Sequence, residues 1–205
     1  MKKIALFITI LVFSTSQVKA SGPIRWGIIG GMNISKPTHT SYSEGYGFHL
    51  GGKIEYKLFN NESGFYISPA VLLSLKGGKP VPVSYPGDKD VRTNEHNYYL
   101  DIPVYFGYKH SFNRKVALFG GVGPYMGVGL FGKYKRKADG VANSVNPFGN
   151  NGYLNRFDAG MGSQIGLEFV KRIQFTIGYE LGLKNISKKY HYKNRNFMVS
   201  CGYMF

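Results

Sequence analysis

The chain has 205 residues and carries 26 lysines and arginines against 11 aspartates and glutamates, a formal net charge of +15. Aromatic residues make up 16% of it, glycine occurs 28 times, and there is one cysteine. A single cysteine excludes an intramolecular disulfide. No stretch offers the roughly twenty consecutive apolar residues of a membrane-spanning helix, so a helical membrane protein is excluded as well.

The first twenty residues have the pattern of a Sec-type signal peptide. Lys2 and Lys3 form a basic start, residues 4–13 form an apolar run too short to span a bilayer, and Val18-Lys19-Ala20 is a small-residue cleavage site. We predict cleavage after Ala20, against the alternative of an uncleaved anchor, and one domain over residues 21–205.

Export determines how the basic charge is interpreted. Losing the leader leaves 23 basic against 11 acidic residues. Such a balance in a cytosolic protein would indicate nucleic acid as a partner. For an exported chain the accessible polyanions are lipid headgroups or lipopolysaccharide phosphates, and we expect no nucleic-acid partner.

Eight segments alternate as β-strands do, with successive side chains on opposite faces of the pleat. They cover residues 25–35, 46–59, 64–76, 97–110, 115–131, 154–169, 172–185 and 195–205. The clearest example runs from Ile173 to Leu183, where large apolar residues alternate with polar residues or glycine. Apolar residues facing lipid and polar residues facing inward are typical of a membrane barrel, whereas a soluble barrel reverses the two faces.

The connections between the segments alternate in length. Three short ones at 60–63, 111–114 and 170–171 lie between four longer ones at 36–45, 77–96, 132–153 and 186–194. Outer-membrane barrels have short periplasmic turns and long external loops. The predicted fold is therefore all-β: an eight-stranded antiparallel up-and-down transmembrane β-barrel with periplasmic termini.

Three prolines, Pro69, Pro103 and Pro124, lie inside predicted strands. Proline lacks the backbone donor of the hydrogen-bond ladder and normally marks a sheet edge or a bulge. A closed barrel has no edge, so we expect a local bulge at each proline.

Charged residues within the strands almost all fall on the inward face, in two layers. The predicted outer layer contains Lys76, Asp101, Arg156, Asp158, Glu180 and Lys184, and the periplasmic layer contains Glu55, Lys57, Lys109, Glu168 and Arg172. Strand neighbours bring Lys76 close to Asp101, and Asp158 close to Glu180 and Lys184. Eight strands enclose little more than their own side chains, so we favour a plug of ion pairs over an ion or proton path.

Inward glycines at 121, 123, 127, 129, 160, 162 and 166 are interpreted as packing room for Tyr105 and Tyr125, with a small cavity as the alternative. Aromatic residues at the strand ends indicate a girdle at the periplasmic interface, where such rings favour the headgroup level. Its predicted members are Phe59, Phe65, Tyr108, Phe169, Tyr203 and Phe205. We expect Cys201, facing lipid, to be inert.

Two basic clusters are predicted on external loops. They comprise Lys133, Lys135, Arg136 and Lys137, and Lys188, Lys189, Lys193 and Arg195 beside His191. Polybasic segments gather at anionic membrane surfaces. These clusters either hold lipopolysaccharide phosphates or are merely solvated, and the sequence leaves both interpretations open.

Several segments together resemble a known family. They are Leu75-Lys76-Gly77-Gly78, Tyr99-Leu100-Asp101-Ile102-Pro103, Gly123-Pro124-Tyr125, Phe157-Asp158-Ala159-Gly160, Gly182-Leu183-Lys184-Asn185-Ile186 and Tyr203-Met204-Phe205. In order and spacing the chain is similar to the PorT-like outer-membrane β-barrel domain of Gram-negative envelopes. The resemblance implies an eight-stranded barrel, with Phe205 as an assembly signal read by the outer-membrane insertion machinery. It supplies no common activity, although some relatives are linked to protein secretion and gliding.

Catalysis is the alternative from another class, because small outer-membrane barrels can host lipid A-modifying enzymes. Nucleophilic catalysis needs a hydroxyl within reach of a histidine that a third group orients. The candidates are His39 with Ser41, or His96 and His191, and none has a convincing carboxylate partner. We therefore expect no enzyme, and no cofactor or metal, since the five histidines lack ligand spacing. The predicted function is a structural or interaction role at the cell envelope, with an accessory role in secretion or gliding as the runner-up.

Overall fold

The computed structural model describes residues 24–38, 43–59, 62–79, 92–138, 141–148, 152–188 and 191–205. Within these ranges the strands are β1 (Ile24–Ser35), β2 (Ser43–Lys57), β3 (Gly64–Lys79), β4 (Arg92–Ser111), β5 (Val116–Ala138), β6 (Val141–Val145), β7 (Phe157–Phe169), β8 (Ile173–Gly182) and β9 (Arg195–Met204). The described residues include no helix long and apolar enough to cross a membrane. The predicted signal peptide and its cleavage site lie outside the described residues.

Eight of these strands form a closed antiparallel ring. Each ring strand pairs with its neighbours along the chain, except that β5 pairs with β7, because β6 between them is not part of the ring. The first strand closes the ring against the last, from Gly27 opposite Met204 to Ser35 opposite Asn196. Strand β6 pairs with β5 alone and lies outside the ring. The predicted eight-stranded up-and-down barrel is confirmed.

The two faces of the wall are opposite in chemistry to those of a soluble barrel. Large apolar side chains are exposed on the outside, among them Met32 (63%), Leu50 (61%) and Ile165 (55%). Charged side chains are buried inside, including Glu55 and Glu180 at 1% exposure. In a bilayer the outward residues meet acyl chains, and closure satisfies the backbone groups that lipid cannot bond.

The two ends of the barrel differ. The connections from β2 to β3, from β4 to β5 and from β7 to β8 are short and lie at one end, which is the periplasmic end by the rule of short periplasmic turns. At the other end β4 and β5 continue for 20 and 23 residues, about twice the 9–11 that span a bilayer. With β6 they form a three-stranded sheet that extends beyond the barrel rim. The predicted loops at 77–96 and 132–153 are therefore shorter than expected, because cross-strand pairing continues in both.

The three prolines do not produce the expected bulges. Pro69 pairs with Val104, Pro103 with Tyr125 and Pro124 with Met161, without a change of register at any of them. Each proline interrupts the ladder toward only one neighbour and keeps its pairing with the other. The register shifts occur elsewhere, between Glu44 and His49 and between Tyr98 and Tyr99.

The tight turn between β7 and β8 has a strained backbone. Val170 and Lys171 both have positive φ, 51° and 58°. Two central residues with positive φ make a type I′ turn, which favours asparagine and glycine, and a β-branched residue there is an outlier. The turn is held from outside, because Arg25 Nη1 donates to Lys171 O at 2.8 Å and Val170 N donates to Lys115 O at 2.6 Å.

Replacing Val170 by glycine is expected to stabilise the barrel by about 1 kcal/mol, because glycine adopts positive φ without the side-chain clash. Urea unfolding of the protein in lipid vesicles measures the change. Arg114→Gly is the matched control, since Arg114 lies in the β4–β5 turn without a positive φ. A gain of equal size in both variants would contradict the strain argument.

Candidate functional site

The periplasmic half of the barrel interior contains a tight cluster of opposite charges. Lys109 Nζ lies 2.7 Å from Glu55 Oε1 and 2.8 Å from Glu168 Oε2. Arg25 bridges the same two carboxylates at 2.5 and 2.7 Å. Gln174 Nε2 donates to Glu168 Oε2 at 2.6 Å, and Lys53 Nζ donates to Gln174 Oε1 at 3.0 Å. Both carboxylates are therefore held by several donors, as buried charges require.

The external half of the interior is acidic. Lys76 Nζ lies 2.8 Å from Asp101 Oδ2 and 3.2 Å from Glu180 Oε2, and all three side chains are 1–2% exposed. Asp158 accepts instead from Asn194 Nδ2 at 2.8 Å and Tyr125 OH at 3.2 Å. Within the described residues this cluster holds three carboxylates around a single ammonium group. Lys76 is consequently the residue on which its electrostatic balance depends.

Some of the residues predicted for the two layers lie elsewhere. Arg156 is exposed and donates to the carbonyl groups of residues 129 and 130 at the external rim. Lys184 is exposed over the ring of Phe157, and Arg172 is exposed and donates to Tyr203 OH. All three lie just outside their strands, where alternation no longer decides the direction of a side chain. Half-buried Lys57, the last residue of β2, lies at the periplasmic mouth.

The prediction of the periplasmic layer missed Arg25, Lys53 and Gln174. The alternation of inward and outward residues could have identified them. Arg25 lies two residues before inward-facing Gly27, and Gln174 is the first inward-facing residue of β8. The remaining predicted members of both layers, Lys76, Asp101, Asp158, Glu180, Glu55, Lys109 and Glu168, are all buried in the interior.

A serine–histidine–asparagine chain, which the sequence did not suggest, lies along the inner wall over β1, between Ser200 of β9 and His49 of β2. His49 Nε2 lies 2.8 Å from Ser200 Oγ, and His49 Nδ1 lies 2.7 Å from Asn33 Oδ1. The Asn33 amide nitrogen donates to two backbone carbonyls, which turns its oxygen toward the imidazole. The order of groups is that of a nucleophile, a base and an orienting residue. All three side chains are at least 93% buried.

Little space remains around this chain. The cavity lined by His49, Ser200, Tyr105 and their neighbours has a volume of about 30 Å³, enough for one or two waters. Aromatic rings occupy the room left by inward glycines: a Cβ on Gly162 would lie 2.8 Å from Tyr105 OH, and one on Gly160 would lie 2.7 Å from Tyr125 Cε1. The packing interpretation is confirmed for Gly160 and Gly162, whereas Phe119 takes the room at Gly166 and Phe148 the room at Gly129. The described interior is a filled plug.

Apolar side chains close the external end. Phe148 and Leu154, both 4% exposed, pack against Tyr99, and the rings of Phe148 and Tyr99 meet edge to face at 5.6 Å. Leu154 lies in the connection before β7, and Ser187 lies in the connection after β8. The two connections are joined by the Leu154–Ser187 β-bridge and by Asn155 N, which donates to Ile186 O at 2.7 Å. Two external connections therefore fold over the mouth as a cap.

The two predicted basic clusters lie outside this cap. Lys133 and Lys135 are exposed on the same face of the protruding sheet, opposite His96 and Asn94 of β4. Arg136 and Lys137 lie further along β5, and their backbone pairs with β4 on one side and with β6 on the other. Exposed Lys188, half-buried Lys193 and exposed Arg195 follow the cap connection, and Lys189 lies outside the described residues. The first cluster thus lies on a paired sheet and not on the loop that the sequence indicated.

Aromatic rings surround the periplasmic end as predicted. Phe205 stacks on Trp26 at 4.0 Å and meets Tyr203 at 5.1 Å, while Phe65 packs between Phe106 and Tyr108. Phe59, Phe65, Tyr108 and Phe205 are between 42% and 59% exposed. Such rings anchor a barrel at the headgroup level.

A closed ring with lipid-facing apolar residues, an interface girdle and a charged plug defines an integral outer-membrane β-barrel protein. Residues 15–188 match the model of the outer membrane protein beta-barrel domain. The chain belongs to this family and is located in the outer membrane. No curated relative matches the chain.

Solved outer-membrane proteins are similar in outline. Ail, the attachment invasion locus protein of Yersinia pestis, is 18% identical with a TM-score of 0.42, and the match covers 88% of this chain and 98% of Ail. Neisserial surface protein A is 10% identical with a TM-score of 0.46, covering 91% and 98% of the two chains. The N-terminal domain of Pseudomonas aeruginosa OprF is 11% identical with a TM-score of 0.35, covering 88% and 97%. The barrel assigned to this chain rests on its own strand pairing.

Lys76→Met is expected to destabilise the barrel by about 3–5 kcal/mol, because it leaves three buried carboxylates without a cation. Lys171→Met removes the exposed pair with Glu62, at 3.2 Å and 60% exposure, and should cost less than about 1 kcal/mol. Urea unfolding in vesicles compares the two variants. Equal losses would contradict the role of Lys76 in holding the plug.

Proposed function

We propose that the protein is an envelope interaction protein whose external basic surface binds the phosphate groups of lipopolysaccharide. The observation that carries this proposal is the position of Lys133 and Lys135. They lie two residues apart on one face of a paired strand, roughly 7 Å from each other along the backbone. A sheet holds this spacing at lower entropic cost than a free loop would.

The surrounding structure supports a surface role over transport. The lumen is filled, and the cap packs Phe148 and Leu154 across the external mouth. These charges lie on the external side of the barrel, where the membrane surface consists of lipopolysaccharide. Each lysine close to such a surface contributes about 1 kcal/mol of attraction, which salt screens.

Replacing Lys133, Lys135 and Lys188 by glutamine is expected to weaken binding to lipopolysaccharide at least about tenfold at low salt. The difference should shrink at high salt, because screening removes the same attraction. Calorimetric titration of the folded protein in detergent with purified lipopolysaccharide measures the affinity at both salt concentrations.

The matched control changes three cations at the opposite end, Lys57, Arg114 and Lys115, to glutamine. Dephosphorylated lipopolysaccharide is the second control and should bind the unchanged protein weakly. Equal affinity of both triple variants for lipopolysaccharide would overturn the proposal.

We infer no catalytic role from the residues that could support one. His39 and Ser41 lie outside the described residues, while His96 and His191 are exposed, and neither pairs with a carboxylate within the described part of the chain. The chain from Asn33 through His49 to Ser200 has the order of a catalytic set. A cavity of about 30 Å³ beside it leaves no room for an acyl chain.

A fluorophosphonate probe is therefore expected to leave Ser200 unmodified in the folded barrel, and Ser200→Ala should not alter lipid A acyl chains in cells that express the protein. Mass spectrometry of the labelled protein and of extracted lipid A checks both. Stoichiometric labelling of Ser200 would support the enzyme alternative.

The narrower kinship with PorT-like barrels, an accessory role in secretion or gliding, and an assembly-signal role for Phe205 stay predictions from the sequence. Co-purification from native membranes in mild detergent tests the accessory role. Recovery of secretion components with the barrel would favour it over a role confined to lipopolysaccharide.

A further inference from the structure

The periplasmic mouth of the barrel contains a cup of about 430 Å³. The turns at 111–115 and 170–172 contribute to its wall, together with the ends of β1, β2 and β9. Its base is the ion-paired layer of Arg25, Lys109 and Glu168, and the plug lies beyond that base. The cup is therefore blind, and it opens only toward the periplasm.

Basic side chains dominate this cup. Its rim contains Lys57, Arg114, Lys115, Lys171 and Arg172, and its base adds Arg25 and Lys109. The acidic side chains that line it are Glu62 and Glu168. Glu55 lies just below and pairs with the base cations. The cup keeps a surplus of four positive side chains even when Glu55 is counted.

The surplus is concentrated on cations that have no ion-paired carboxylate of their own. Arg25 and Lys109 are paired with Glu55 and Glu168, and Lys171 pairs with Glu62. Within the described residues, Lys57, Arg114 and Lys115 form no side-chain hydrogen bond or ion pair. Like charges gathered in a concave site repel one another, and a bound anion relieves that repulsion.

The backbone contributes to the same arrangement. The strained turn at Val170 and Lys171 places Lys171 and Arg172 at the rim, and Arg25 holds it through the carbonyl of Lys171. A β-branched residue with positive φ persists only where its surroundings impose it. Here the imposed turn brings two more cations to the mouth.

We propose that this periplasmic cup is a binding site for a phosphate-bearing anion. Guanidinium groups match the geometry of phosphate oxygens, and ammonium groups add point charges around them. The volume lies within the range of sites for small molecules. The cup opens along the barrel axis, on the face of the wall opposite the lipids, so a soluble phosphate compound reaches it more directly than a lipid headgroup.

The test uses pyrophosphate as the probe and the full-length folded barrel in a zwitterionic detergent. Calorimetric titration should detect saturable binding that weakens as salt rises. Trp26, the only tryptophan of the chain, stacks on Phe205 at the edge of the cup, so its fluorescence should change on binding.

The triple variant Lys57→Gln, Arg114→Gln and Lys115→Gln should lose at least about tenfold in affinity for pyrophosphate. Its matched control, Lys36→Gln with Arg156→Gln and Lys184→Gln, removes three exposed cations at the other end that belong to neither proposed site, and it should bind like the unchanged protein. Heat-modifiable mobility on gels verifies that both variants fold. Absence of binding by the unchanged barrel, or equal losses in both variants, would overturn the proposal.

A second comparison separates the two sources of phosphate. Pyrophosphate is titrated into the barrel in nanodiscs of phosphatidylcholine alone and of phosphatidylcholine with phosphatidylglycerol. Unchanged affinity supports a soluble ligand, whereas strong competition by the anionic lipid would assign the cup to headgroups. This outcome is independent of lipopolysaccharide binding. Lipopolysaccharide is proposed to bind at the external end and is titrated by itself, whereas the cup is tested with pyrophosphate.

Discussion

The pairing of β1 with β9 is the constraint on which the rest of the molecule depends. A bilayer offers no hydrogen bonds to an open sheet edge, so the ring must close for any strand to remain in lipid. Once eight strands close, the space inside has a set diameter, and only side chains fit there. The polar residues that alternation turns inward must therefore find partners among themselves. The ion-paired layers, the buried Asn33–His49–Ser200 chain and the rings seated over glycines all follow from that closure.

The interior is electrically asymmetric as a result. Toward the outside, Lys76 is shared among carboxylates, whereas toward the periplasm Arg25, Lys53 and Lys109 exceed Glu55 and Glu168. Because the lumen is nearly dry, water screens these charges little. An anion that approaches from the periplasm therefore meets an attractive end of the barrel, and the acidic layer behind it opposes passage. The same arrangement that favours binding at one mouth disfavours conduction through the barrel.

The alternation of apolar and polar residues predicted the direction of side chains within the strands, and it failed beyond the strand ends. The inward positions of Glu55, Asp158 and Glu180 follow from a period of two, which lipid and a filled lumen enforce together. Arg156, Arg172 and Lys184 lie one or two residues beyond a strand, where turn geometry and local acceptors decide the side-chain direction. Partners across the ring, such as Gln174 with Lys53, depend on a register that a single sequence does not specify. The external sheet of β4, β5 and β6 was hidden because its basic residues look like a solvated loop.

The prolines give the wall a mechanical character of its own. Because the register is continuous, Pro69, Pro103 and Pro124 lie on three adjacent strands within about one residue of each other. Each lacks one amide donor, so a diagonal of missing ladder bonds crosses β3, β4 and β5 within a wall that is otherwise regular. Bending and transient separation of strands concentrate where the β-sheet has the fewest backbone hydrogen bonds. The barrel therefore has a compliant seam on one side, and the opposite wall, where β1 meets β9, is the stiffer one.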